Sequence, residues 1–232
     1  MNKKTFKPNL KILIFYVFFS IVFIALGFWQ IERGISKTEL LQQFETRSKA
    51  EASAINDEPK KWDRVKLSGE FFDSFNIYID NVILKGIPGY KILTPAKVEG
   101  INEPVLVDRG WVQRETSREV LPDVSISKID FEVAGILVSP ELGLVLGDEV
   151  ITKTKPYLSQ SSNIEAIEKG LEIEFYDFIF LADPLMIDSL EYIEIIPTNI
   201  LPSKHYGYAS QWFTMFLVLT FMFILTSFKN EE

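Results

Sequence analysis

The sole histidine of the 232-residue chain, His205, opens the stretch HYGYASQW, with Tyr208 and Trp212 following at i+3 and i+7. A helix starting at His205 therefore carries an imidazole, a phenol and an indole on one face. An imidazole so placed is either a nitrogen donor at a membrane edge or one more polar residue marking that edge, and spacing alone leaves both readings open. Much other chemistry is excluded. With no cysteine there are no disulfides, thiolate metal sites or c-type haem attachments, and one histidine cannot build a His and Cys cluster for zinc or copper. Neither a serine elbow nor a phosphate-binding glycine loop is visible. The 32 Asp and Glu are so many that any chosen pair says nothing about acid–base catalysis, and the chain is not expected to be an enzyme.

Two uncharged apolar runs position these residues. Residues 12–31 and 206–228 contain no Asp, Glu, Lys or Arg, and a 20-residue helix spans ~30 Å, the thickness of a bilayer's hydrocarbon core. Lys3, Lys4, Lys7 and Lys11 precede the first run, whereas Glu32, Arg33, Lys37 and Glu39 follow it with mixed sign. The positive-inside bias puts residues 1–11 in the cytoplasm, and two spans return residues 229–232 to that side. The first run exceeds a signal-peptide core and GFWQIERGISK offers no small-x-small cleavage site, which predicts an uncleaved anchor. No Arg- and Ser-rich leader precedes it, favouring a bacterial cytoplasmic (inner) membrane over an organelle precursor.

Counting up each span from its cytoplasmic end sets Gln30 at ~27 Å and Gln211 at ~26 Å, beside Trp29 and Trp212. The tryptophans suit an interfacial belt, while the two amides are expected to bond each other and pair the helices. On the same scale Arg33 lies at ~32 Å, His205 at ~35 Å and Lys37 at ~38 Å, so one imidazole and two cations share the headgroup level. Snorkelling cations with an interfacial histidine explain that level without any ligand.

Residues 32–205 hold 19 of the 24 basic and 30 of the 32 acidic side chains, a formal balance near −11, which argues against nucleic acid as a partner. The first helix is expected to run on past the membrane, with Ile31, Ile35, Leu40, Leu41 and Phe44 at helical spacing, until NDEPK at 56–60. Seven short alternating segments follow, around Val65–Leu67–Phe71, Ile77–Ile79, YKILTPAKV, VLV at 105–107, Phe131–Val133–Leu137, Leu171–Ile173–Phe175 and LEYIEII. They predict an antiparallel barrel or sandwich, with one helix in SSNIEAIEKG between a polar start and a glycine stop. In DRGW, the strand at 105–107 is expected to end at Gly110, at a positive φ or a close backbone approach. Trp111 would pack over that turn under Arg109 or Arg114. Arg109, Gly110 and Trp111 are then a structural corner, or Arg109 is a cation facing the membrane and a partner.

Four stretches resemble one family. GFWQIERGISK is similar to the G-x-W-Q-x-x-R-x-x-x-K end of the first span of the Surfeit locus protein 1 family of cytochrome c oxidase assembly proteins, and GYKILTP to its G-Y-x-V-x-T-P strand. VLVDRGWV resembles its V-L-V-N-R-G-W-V-P segment, with Asp108 for Asn and Gln113 for Pro, and HYGYASQWF its H-x-x-Y-A-x-Q-W-F entry to the second span. The order matches and nearly the whole chain is covered, apart from 142–190. The resemblance implies an α+β membrane protein in which two transmembrane helices flank a β-rich extracytoplasmic domain. It implies a factor acting on oxidase subunit I while haem a is delivered and inserted, with the haem a synthesis machinery and membrane lipid as neighbours. It also implies that His205 is a haem a ligand, the metal being the haem iron. Arg33 and Lys37 are then the cations for the propionates, with Trp29, Tyr208 and Trp212 around the cofactor. Met215, ~15 Å deeper on the same helix, cannot reach iron at His205. The rivals are a scaffold that grips subunit I without haem and a membrane-anchored enzyme.

Reporter fusions after Lys37 and at Tyr157 should read the outer compartment and C-terminal fusions the cytoplasm; a cytoplasmic signal at Tyr157 would overturn the two-span topology.

Overall fold

The computed structural model describes residues 4–56, 58–72, 75–117, 120–139, 151–186 and 188–230. Asp57 of the expected helix stop, and residues 142–150 and 187 of the stretch without family likeness, lie outside these. In chain order the elements are β1 (Lys4–Phe6), α1 (Leu10–Ser48), β2 (Arg64–Phe71), β3 (Ile77–Leu84), β4 (Ile87–Val98), β5 (Val105–Gln113), β6 (Asp130–Val138), β7 (Tyr157–Ser159), α2 (Ile164–Leu171), β8 (Ile179–Ala182), α3 (Pro202–Ser227) and β9 (Phe228–Asn230). They form two units, residues 1–44 with 196–232, and residues 45–195.

The first unit is a helix pair. Asn9 starts α1, its Oδ1 accepting from Lys11 N at 2.9 Å, and no proline interrupts the 39 residues that follow. At 1.5 Å per residue α1 is roughly 58 Å long, far more than a hydrocarbon core needs, so the expected continuation is present. Pro202 stands in the first turn of α3, where its missing N–H costs nothing. Both helices are long and apolar enough to cross a membrane, and Phe18, Ile21, Phe28, Leu217 and Phe221 are more than half exposed. Large side chains turned outward all along a helix belong in lipid, where they displace no water. At one end of the pair β1 and β9 join antiparallel, Phe6 opposite Phe228, and Lys7 N donates to Ser227 O at 2.8 Å.

The second unit is a barrel with an extension. The order β2-β6-β8-β5-β4-β3-β7, with β2 also bonded to β4, closes five strands on themselves and leaves β3 and β7 outside. Closure falls where Gly69 faces Val98: a Cβ on Gly69 would stand 2.1 Å from Lys97 O, so only glycine admits the crossing strand. Val65, Leu67, Val105, Val107, Val133 and Phe180 fill one core. The opposite side chains of the same strands, Leu93, Leu106 and Ile179, join Ile77 and α2's Ile164 and Ile167 in a second. α2 begins as SSNIEAIEKG predicts, with Asn163 Oδ1 accepting from Ala166 N at 2.9 Å.

Five of the seven expected strands are present and two are not. Leu171–Ile173–Phe175 closes α2: Glu172 turns left-handed with φ 58°, and Phe175 N donates to Glu168 Oε1 instead of to a strand. Its alternation reflects packing into the second core, not a ladder. LEYIEII holds only a bridge from Glu191 to Trp111. The strands that do follow, β7 and β8, are three and four residues long, too short to show a period.

The DRGW segment also departs from expectation. β5 does not stop at Gly110; it bulges, Arg109 and Gly110 together facing Ile92, and continues to Gln113. Gly110 has φ 110°, and a Cβ there would meet Glu191 O at 2.7 Å, so the anticipated positive φ and close approach both occur. Trp111 lies on Gly89 and donates Nε1–H to Val82 O at 2.9 Å, and among the described residues no arginine lies on its ring. Arg109 is 3% exposed and does not face outward. Its Nε and Nη2 donate to Asp188 O at 3.2 and 2.9 Å, and Nη1 to Val124 O at 2.8 Å. The Asp188 carboxylate in turn accepts from Ser127 N and Oγ, each at 2.8 Å, and from Lys128 N at 3.4 Å. One strand and two loops are thereby tied together.

Burial pushes the Asp188 carboxyl up, but the Ser127 and Lys128 hydrogen bonds with the Arg109 charge outweigh it and hold it below its ordinary range. A carboxylate depressed in the fold stabilises it at neutral pH and loses that contribution as pH falls through its folded value. Arg109→Leu should therefore destabilise this unit by about 3 kcal/mol, since it strands two carbonyls. Arg109→Lys should recover little of that. Asp188→Asn should lower the neutral-pH melting temperature and flatten its decline in acid, and a decline identical to that of the wild type would remove Asp188 from the account.

Candidate functional site

Interhelical packing decides which polar groups of the helix pair meet. α1 presents Ser20, Gly27 and Gly34 seven residues apart, all buried. α3 presents Tyr206 and Phe213 at the same interval, and a seven-residue repeat keeps one seam facing a partner helix. A Cβ on Gly27 would stand 2.6 Å from the Phe213 ring, and one on Gly34 2.7 Å from that of Tyr206. The aromatic rings lie on bare backbone, and this sets the register. Tyr16 stacks on Phe223 at 4.3 Å, and its hydroxyl meets that of Thr220 at 3.3 Å.

In that register His205 Nδ1 lies 2.8 Å from Gln30 Oε1. An amide oxygen only accepts, so Nδ1 carries the proton and donates it. His205 Nε2 is buried and has no hydrogen-bond partner among the described residues. The arrangement yields a nitrogen donor with its tautomer fixed from behind, the form in which histidine binds metals.

Gln30 and Gln211 do not bond each other, contrary to expectation. Six residues beyond His205, Gln211 points about 120° away around α3 and is exposed in a shallow recess with Ser203, Lys204, Gly207 and Tyr208. Equal depth does not give equal azimuth. Tyr208, 51% exposed, shares that recess, so the three-residue face of α3 splits. His205 and Trp212 turn towards α1, Trp212 lying 5.8 Å from Phe23, while Tyr208 turns away. On α1 the Arg33 guanidinium sits 5.6 Å over the Trp29 ring. Lys37 is half-buried one turn further on. Among the described residues neither cation has an acidic partner within ion-pair distance.

Counting along straight helices separates Gln30 from His205 by ~8 Å in depth, which conceals their contact. The signal that could have revealed it is the recurrence of Ser20, Gly27 and Gly34 opposite Tyr206 and Phe213.

Residues 17–217, most of both helices and all the intervening domain, match the SURF1 family. The chain belongs to that family. Among its relatives, a SURF1-like protein of Rickettsia prowazekii is 23% identical over 88% of this chain and 85% of its own length. A SURF1-like protein of Caenorhabditis briggsae is 23% identical over 86% and 70%. The cytochrome oxidase assembly protein SHY1 of Saccharomyces cerevisiae is 31% identical over 44% of this chain and 28% of its own. The match to the SURF1 family includes Gly27, Gly34, Tyr206 and Phe213 as well as Gln30 and His205.

Gly27→Leu should cost about 1 to 3 kcal/mol in thermal unfolding of the helix pair, because the Phe213 ring occupies that space. Adding Phe213→Ala should recover part of the loss. Strictly additive losses would mean that these two positions do not touch.

Proposed function

We propose that this SURF1-family chain assists assembly of cytochrome oxidase by holding haem a for subunit I, with His205 as the iron ligand. Likeness to SHY1, a cytochrome oxidase assembly protein by name, supports the assembly role. The observation that carries the haem assignment is the buried, unpartnered His205 Nε2 beside an Nδ1–H already committed to Gln30. This donor set fits the group: an imidazole nitrogen is a common haem ligand, and the chain has no cysteine and no second histidine to compete. Bound there, haem a would supply an iron with a coordination position open to an incoming ligand. Because Nε2 is covered, side chains along the seam have to shift before a macrocycle can reach it.

The chain's own groups have separate tasks. His205 holds the metal, and Arg33 with Lys37 offers cations to carboxylates at headgroup level. Phe28, 61% exposed, together with Trp212 and Phe213, lends apolar surface beside the lipid to a hydrophobic tail. Trp29 braces Arg33. This reading places the chain in the bacterial cytoplasmic membrane with both ends inside and residues 32–205 in the periplasm. Oxidase subunit I is its partner and the haem a synthesis machinery its neighbour. Handing on a bound group would exchange one iron–nitrogen coordinate bond for another and leave the group chemically unchanged, so the protein acts as a carrier.

The test is a visible spectrum of detergent-purified protein made in cells that synthesise haem a. His205→Ala should abolish or strongly shift the haem bands while the protein inserts and folds. Arg33→Gln should lower haem retention and leave the band positions unchanged. Unaltered haem occupancy and spectrum in His205→Ala would replace the ligand assignment with a scaffold that grips subunit I alone.

A further inference from the structure

We infer that Gln30 is the positioning residue for His205: its amide oxygen holds the proton on Nδ1 and so presents Nε2 as a lone pair. The inference rests on the haem-carrier reading for its purpose, and on the geometry of the helix pair for its substance. In water the neutral imidazole exchanges its proton between both nitrogens and binds solvent through either. Between two apolar helices the only contact made by the ring nitrogens among the described residues is Nδ1 with Gln30 Oε1, at 2.8 Å. That oxygen cannot donate, so the tautomer with a proton on Nε2 would set two lone pairs against each other and bury an unpaired N–H.

The ring's orientation follows from the same bond. Gln30 stands one turn from Gly27 and one from Gly34, the positions at which Phe213 and Tyr206 fix the distance between the helices. The amide is thus held at the level His205 reaches, and rotation of the ring would sacrifice its single hydrogen bond. A carbonyl behind a ligating histidine also makes the far nitrogen a better donor, and losing such a support typically costs about 10- to 100-fold in metal affinity. Any hydrogen bond between helices adds to their association, so a stability loss on replacing Gln30 does not identify the role. The tautomer does.

His205 is the sole histidine, so protein grown with ring-15N histidine gives one pair of imidazole signals, and their couplings to the two ring carbon protons tell Nδ1 from Nε2. In haem-free protein in detergent, the wild-type ring should carry its proton on Nδ1. Gln30→Leu should shift the population towards Nε2–H, and Gln30→Glu, which keeps an acceptor oxygen, should restore Nδ1–H. Loaded with haem, Gln30→Leu should retain it about 10-fold or more weakly, with Gln30→Glu close to wild type. A wild-type ring protonated on Nε2, or a Gln30→Leu ring indistinguishable from wild type, overturns the role of Gln30 whatever the haem measurement shows. The expected tautomers combined with an unchanged haem spectrum in His205→Ala overturn the carrier reading instead and leave the Gln30 bond standing.

Discussion

Close approach of α1 to α3 is the constraint on which the candidate site depends. Lipid gives two helices no hydrophobic reason to associate, so their pairing rests on van der Waals fit and a few polar contacts. Phe213 and Tyr206 lie where Gly27 and Gly34 have no side chain, and no other residue type leaves that room. With the register set, Gln30 and His205 meet and Gln211 cannot join them. A chemical feature, the protonation of one ring nitrogen, thus descends from a steric one, the absence of two methyl groups.

The barrel unit applies the opposite economy. Strands β4, β5 and β8 are buried along most of their length, so a polar side chain there has to be hydrogen-bonded. Arg109 and Asp108, adjacent on β5, are buried charged residues. Asp108 Oδ1 accepts from Gly110 N at 2.9 Å within the bulge, and Arg109 reaches the carbonyls of two loops. Burial lowers the Arg109 guanidinium from its ordinary value, opposed by the charges of Asp188 and Tyr78, yet a guanidinium so far above neutrality stays cationic. A permanent charge with fixed donors suits a brace between loops.

What was legible in the sequence is what has a long period or a composition threshold. Two uncharged runs, the continuation of α1, the five longer strands and the Asn163 cap are all visible as patterns. The glycine in DRGW announced strained backbone, though a bulge and an interrupted strand share that signature and only the ladder distinguishes them. Leu171–Ile173–Phe175 misled because burial can alternate without strand pairing. At the helix pair, depth was countable from the sequence and azimuth was not, so the two glutamines were matched by height and the contact between Gln30 and His205 was missed. A seven-residue interval of small residues was the cue, and it becomes informative only when both helices are compared.

The short clasp between β1 and β9 bears on how the molecule is made. Residues 4–6 pair with residues 228–230, so almost the entire chain separates the two strands. Contacts that distant in sequence form late, because the intervening segment has to be synthesised, threaded and folded before its ends can meet. The clasp therefore needs both helices in place, with their β1 and β9 ends at one level, before it can close. Each strand has the other as its sheet partner, so losing either one unties both helix ends at once.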